Sequence, residues 1–150
     1  MAAIPMVTQK GQRTYTAAEA ILGGQLVEGR TGSDKGRVGV AGAASNKVLG
    51  VAVTDGINPE AIVTGSTVVA GHPTLNAAPI PTAVTVVSGG IEVPVTYAAN
   101  ASLGDKLIAA ANGAVTPAGA TPDARQIVGK CTQPGGVVIA TTPIGLMQTA

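Results

Sequence analysis

Acid–base or nucleophilic chemistry needs a few side chains of matched proton affinity held close together, and this chain has few that qualify. His72 is the single histidine, in Gly71-His72-Pro73-Thr74, and Cys131 is the single cysteine. A Ser-His-Asp arrangement is possible by arithmetic, but no nucleophile-elbow context surrounds any serine. One histidine and one distant cysteine do not make the clusters that hold zinc. The carboxylates Glu19, Glu28, Asp34, Asp55, Glu60, Glu92, Asp105 and Asp123 are scattered and read as solvated turn and strand-edge residues. Asp105, in Leu-Gly-Asp-Lys-Leu, reads as a turn residue just before a strand. The glycine-rich stretches match neither the phosphate-cradling loop nor the dinucleotide fingerprint. The expectation is therefore a protein that is not an enzyme, with no catalytic residue, no metal and no cofactor.

The elements that would carry any site follow from composition. Gly 21 and Pro 10 make 31 of 150 residues, against roughly 18 at average usage, so turns are frequent. Hydrophobic residues make up 45% and charged residues 11%, which suits a folded chain better than a disordered one. With no Trp or Phe and only Tyr15 and Tyr97, the core is built from Val, Ile, Leu and Ala. Small side chains each bury little area, so association between subunits would add to stability. A net charge of +1 and no basic run exclude a dedicated nucleic-acid binder. No apolar stretch approaches a membrane span, and the N-terminus lacks a secretory leader pattern. The lone cysteine makes the fold independent of an oxidising compartment.

The chain also aligns with itself. Thr14-Tyr15 sets beside Thr96-Tyr97, and Leu22-Gly23-Gly24-Gln25-Leu26-Val27 beside Leu103-Gly104-Asp105-Lys106-Leu107-Ile108. Gly36-Arg37-Val38 sets beside Gly113-Ala114-Val115, and Lys47-Val48-Leu49-Gly50 beside Gln126-Ile127-Val128-Gly129. The offsets are 82, 81, 77 and 79, which points to a duplicated unit with small length changes in its turns. In this alignment the two tyrosines are equivalent, and Asp105 faces Gly24.

Each copy reads as short strands between turn signals. Asn112-Gly113 is a type I′ hairpin signal. Val84-Thr85-Val86-Val87 and Ile91-Glu92-Val93-Pro94-Val95-Thr96 alternate with period two across Ser88-Gly89-Gly90 and read as a hairpin. Pro94, which lacks a backbone donor, belongs on a sheet edge. The predicted fold is mainly β, a small β-barrel or β-sandwich built from two related β-units with at most short helical turns. Residues 1–13 read as an extended arm, and 14–150 as one β-domain. Its repeats are 14–56 and 96–135, and the connector is 57–95.

The series Leu103-Gly-Asp-Lys-Leu-Ile, Asn112-Gly-Ala-Val-Thr-Pro-Ala and Arg125-Gln-Ile-Val-Gly-Lys-Cys, echoed by Leu22-Gly-Gly-Gln-Leu-Val, Gly36-Arg-Val-Gly-Val-Ala and Val48-Leu-Gly-Val-Ala, resembles a pattern in tailed-phage capsid cement and head decoration proteins. The resemblance implies a β-domain that binds the outer surface of an assembled capsid and stabilises it. Its partners would be the major capsid protein and itself, as a homotrimer, with no nucleic acid and no membrane. Assembly would take place in the host cytoplasm, ending on the virion exterior. Ile4, Pro5, Met6, Val7 and Thr8 are the candidate contacts, adding a strand to a capsid or neighbouring-subunit sheet; a frayed terminus is the alternative. Other functions left open are a tail or fibre component and a carbohydrate-binding module, the latter disfavoured by the shortage of aromatic rings.

Overall fold

Short runs rich in Val, Ile, Leu and Thr, many of them bounded by glycine turns, form strands β1 (Gly11–Thr16), β2 (Leu26–Gly29), β3 (Val38–Val40), β4 (Val48–Ala52), β5 (Ser66–Val69), β6 (His72–Leu75), β7 (Ala83–Ser88), β8 (Glu92–Thr96), β9 (Lys106–Ala109), β10 (Val115–Pro117), β11 (Ile127–Cys131) and β12 (Ile144–Thr149). The structure, a computed structural model, describes residues 11–61, 66–69, 72–75 and 81–150. Among them the only helices are three-residue 3-10 turns. One sheet has the order β1-β7-β4-β2-β3 and a second the order β10-β9-β11-β12-β8, while β5 and β6 pair separately. Every strand pair is antiparallel. The molecule is mainly β, as its composition and turn spacing predict.

Read from the other edge, the first sheet runs β3-β2-β4-β7-β1, strand for strand the order of the second. The hydrogen bonds repeat as well. The Gly24 amide donates to the Ala52 carbonyl at 2.8 Å, and the Gly104 amide to that of Cys131 at 2.9 Å. Ala18 donates to Val38 and Ala98 to Val115, both at 2.8 Å. Isolated bridges join Ile21 to Gly56 and Ala101 to Val137. Gly24 and Gly104, at φ +87° and +94°, hold the same left-handed turn position before β2 and β9, where a Cβ would be strained.

This register corrects two sequence expectations. The counterpart of Tyr97 is Ala17, because both bridge to the start of the third strand, and the counterpart of Tyr15 is Val95, since each pairs with the second residue of its partner strand. The two tyrosines are therefore not equivalent. Asp105 likewise faces Gln25 rather than Gly24: Gln25 Oε1 accepts from the Leu22 amide and Asp105 Oδ2 from the Ser102 amide, each at 2.8 Å. A third correction concerns topology. β7 and β8 do not form a hairpin; β7 lies between β1 and β4, and β8 pairs with β12. Gly89 and Gly90 instead cross between sheets and donate to the carbonyls of Ala150 and Thr149. Period-two alternation sets which face a residue occupies but leaves the partner strand open.

Between β4 and β7 the first half carries more chain than the second. Gly56 to Thr82 spans 26 positions, and the matching stretch Val137 to Pro143 spans 6. The excess contains β5 and β6. Its base is closed by the Ile57 amide donating to the Pro81 carbonyl at 3.0 Å, and by Arg37, which grips the Glu60 carboxylate with both terminal nitrogens at 2.7 and 2.5 Å.

Each sheet curls until its edges meet, through parallel bridges Ala17–Val38 and Tyr97–Val115. Inside the first curl lie Ala17, Ile21, Val27, Val38, Ala52, Val84 and Val86. Inside the second lie Tyr97, Ala101, Leu107, Val115, Cys131 and Met147, joined by Leu26, Val51 and Val87 from the opposite face of the first sheet. The central strands of that sheet, β2, β4 and β7, are thus buried on both faces, while β1 has no buried residue. In the second sheet the residues matching Leu26, Val51 and Val87 are Lys106, Lys130 and Gln148, all exposed. Pro94 is on β8, the outermost strand. Asn112 (φ 56°, ψ 33°) and Gly113 (φ 68°) make the type I′ turn between β9 and β10, closed by the Ala114 amide on the Ala111 carbonyl at 3.3 Å.

Candidate interaction site

Most side chains that could do chemistry are engaged in holding turns. Glu19 accepts from Arg30 and, at 2.9 Å, from the Val40 amide. In the second half Pro117 takes the place of Val40 and has no amide to satisfy. Glu28 pairs with Arg30 at 2.9 Å and accepts from the Ser45 hydroxyl. Asp55 caps the Gly23 amide at 2.7 Å. Asp34 and Glu60 flank Arg37, and hydrogen bonding from this guanidinium holds the Glu60 carboxyl below its ordinary value. Asp123 is lowered in the same way by Arg125, whose amide it also accepts at 3.0 Å. Glu92 is exposed on β8. Cys131 is fully buried beside Tyr97. His72 lies on β6 in register with Val69. Among the described residues, no group of three or more His, Cys, Asp and Glu side chains is placed to hold a metal ion.

What the structure assembles instead is an uncharged groove at the junction of the two halves. One cavity of about 200 Å³ lies between Gly23, Val53, Pro94, Thr96 and Ile144. A second, of about 510 Å³, continues from the shared Gly23 and Thr96 past Leu22, Ala98 and Ala114. The first half closes on β8 here, with the Thr96 amide donating to the Gly24 carbonyl at 3.2 Å. Small residues permit the approach: a Cβ on Gly113 would lie 2.8 Å from the Leu26 carbonyl oxygen. Along the groove Leu22, Val53 and Ile144 are 60%, 50% and 61% exposed, a poor use of large apolar side chains unless something covers them.

The register shows that the fold does not require these three. Leu22 corresponds to Ser102. Val53, whose amide donates to Thr85, corresponds to Thr132, whose amide donates to Leu146. Ile144, paired with Thr96, corresponds to Ala83, paired with Thr16. The same structural positions are filled by Ser, Thr and Ala in the second half, which itself exposes Leu103, at 63%, where the first half has Gly23. Sequence reasoning missed them because each sits singly among turn residues; the signal was the contrast between copies in the correct register. The candidate contacts Ile4, Pro5, Met6, Val7 and Thr8 lie outside the described residues.

No family model and no curated protein matches the chain. Among solved structures, the chain is similar to the N base of the head fiber gp8.5 of bacteriophage phi29, with a TM-score of 0.57 and 16% identity over 95% of both chains. At that identity the likeness is one of fold, and it extends over nearly the whole of both molecules.

Proposed function

We propose that the protein is a non-catalytic structural component of a tailed-phage virion, carried on the outside of the head as a homotrimer bound to the major capsid protein. The observation that supports this best is the architecture shared with a phage head fiber base over 95% of both chains. The cement-like series quoted from the sequence adds to it. The weakly charged surface, with 11% charged residues in the chain, suits close apposition to a protein lattice at little desolvation cost, and many symmetric copies turn modest contacts into lasting attachment. Two readings share this location. A cement protein bridges neighbouring capsid subunits and strengthens the shell; the base of a fiber attaches to the shell and holds something outward, a reading the head fiber likeness favours.

Co-sedimentation of the purified protein with undecorated heads, compact and expanded, tests the proposal. Saturable binding at a fixed ratio to the capsid subunit is expected. A rise in the temperature at which decorated heads break would assign cementing, and binding without that rise would assign a fiber base. Absence of binding to either form of head would sink both. Deleting residues 2–8 should weaken attachment while leaving the thermal melt in place; full occupancy by the shortened protein would remove the arm from the contact.

A further inference from the structure

Asn112-Gly113 is the single Asn-Gly pair in the chain; the other four asparagines precede bulkier residues. Such a pair carries a reaction of its own, because glycine leaves its amide nitrogen unhindered beside the asparagine side chain. Once deprotonated, that nitrogen bonds to Cγ of the asparagine and ammonia leaves. Water then opens the cyclic succinimide at one carbonyl or the other, giving aspartate or isoaspartate. Base and water are the only co-reactants. In the folded protein the nucleophile is locked away. Asn112 is exposed, but Gly113 is buried, and the peptide unit between them is gripped at both ends by the first half. Its carbonyl accepts from Gln25 Nε2 at 3.0 Å, and its amide donates to the Ala41 carbonyl at 3.1 Å. The unit cannot turn toward Cγ without giving up both bonds. The matching connection of the first half closes on itself, with the Arg30 amide on the Arg37 carbonyl at 3.0 Å, and contains no asparagine. The junction also keeps the labile pair in place. A Cβ at 113 would lie 3.0 Å from both Gln25 Cβ and Val40 Cγ1, and φ 56° at 112 favours Asn, Asp or Gly.

We propose that Asn112 is a self-modification site gated by the junction between the halves. It converts when Gln25 and Ala41 release the turn and not while they hold it. Aspartate leaves the backbone as it was and returns to the turn. Isoaspartate runs the main chain through the former side chain, a methylene longer, and no longer offers the Gly113 amide to Ala41. A molecule that opens long enough to react in this way does not close again. The turn thus keeps a one-way record of the separation of the halves. The inference is independent of capsid binding, because it is read on the isolated protein.

The protein is held in mildly alkaline buffer, folded and in urea, and residue 112 is followed by peptide mass mapping with an isoaspartate assay and a thermal melt. The folded wild type should convert at least about a hundredfold more slowly than the urea-unfolded chain, since reaction waits for local opening. Gln25→Glu keeps the acceptor for the Leu22 amide but removes the donor to the Asn112 carbonyl, and should speed conversion about fivefold. Val51→Lys puts a charge into the junction and should speed it about a hundredfold. Should that variant fail to fold, Val51→Ala takes its place, with about a tenfold rise expected. Asn112→Gly should melt like the wild type and form no product. Equal rates in the folded and unfolded wild type would overturn the lock. Junction variants that melt lower yet convert no faster would overturn the junction as the gate. An isoaspartate-bearing fraction that melts at the wild-type temperature would overturn the one-way record.

Discussion

Tyr97 shows how much one side chain gains from its place in the register. Its hydroxyl donates to the Leu146 carbonyl at 2.9 Å, and its ring fills the second curl where the first half has only Ala17. Burial, reinforced by hydrogen bonding with Cys131, pushes its phenol well above the ordinary tyrosine value. The folded state therefore holds the proton more tightly than the unfolded chain. The resulting stabilisation is fully present below the unfolded value of about 10 and is lost as pH rises above it toward the higher folded value. We expect the melting temperature to fall on alkaline titration more steeply for the wild type than for Tyr97→Phe, which itself loses about 1 kcal/mol with the hydrogen bond. Equal slopes in the two proteins would remove Tyr97 from the alkaline response. The sequence marks this residue as special, since aromatic rings are so few, but pairs it wrongly. Composition offered two tyrosines two positions out of register, and only the bridge to Val115 shows which residue replaces the ring in the other half.

At the scale of the elements, the same irregularity occurs twice. β4 carries an extra residue opposite β2 at Leu49, and β11 carries one opposite β9 at Val128. Each is followed by a glycine pressed against the neighbouring strand: a Cβ on Gly50 would lie 2.2 Å from the Val87 carbonyl oxygen, and one on Gly129 2.4 Å from that of Gln148. A methyl there forces two backbones apart. Gly50→Ala and Gly129→Ala should each cost about 2–3 kcal/mol, read as a lower urea midpoint. Gly42→Ala, with open space at the Cβ position, should change it little. Strands and turns were legible from valine runs and glycine punctuation, and Asn112-Gly113 named its turn type correctly. Strand partners were not legible. β7 alternates equally well whether it pairs with β8 or with β1 and β4, and the choice is made by contacts distant in sequence.

For the whole molecule, the decisive fact is that the central strands of one sheet are buried on both faces and those of the other on one. Leu26, Val51 and Val87 fasten the halves together, so the described sheets should melt in one transition. Val51→Lys, which copies Lys130 into the junction, leaves a charge without a partner in an apolar contact and should cost at least about 3 kcal/mol. A protein in which the halves melt separately, or in which this substitution is silent, would contradict the junction drawn here. The repeated order of sequence motifs announced two related units. Which surface of one meets the other was hidden, because a buried outward-facing Leu26 and an exposed Lys106 each look ordinary within their own strands. The groove was hidden for the same reason, since exposure is decided only when the halves meet.

Lys106 and Lys130 also act as an end stop. The face with which the first half grips the second is apolar, and on the second half the same face presents two ammonium groups that water holds strongly. A further unit arriving in the same orientation would have to strip them of solvent. The internal junction can therefore be made once per chain and does not propagate. A protein built by joining like to like is in this way protected from growing into a fibre through its own internal contact.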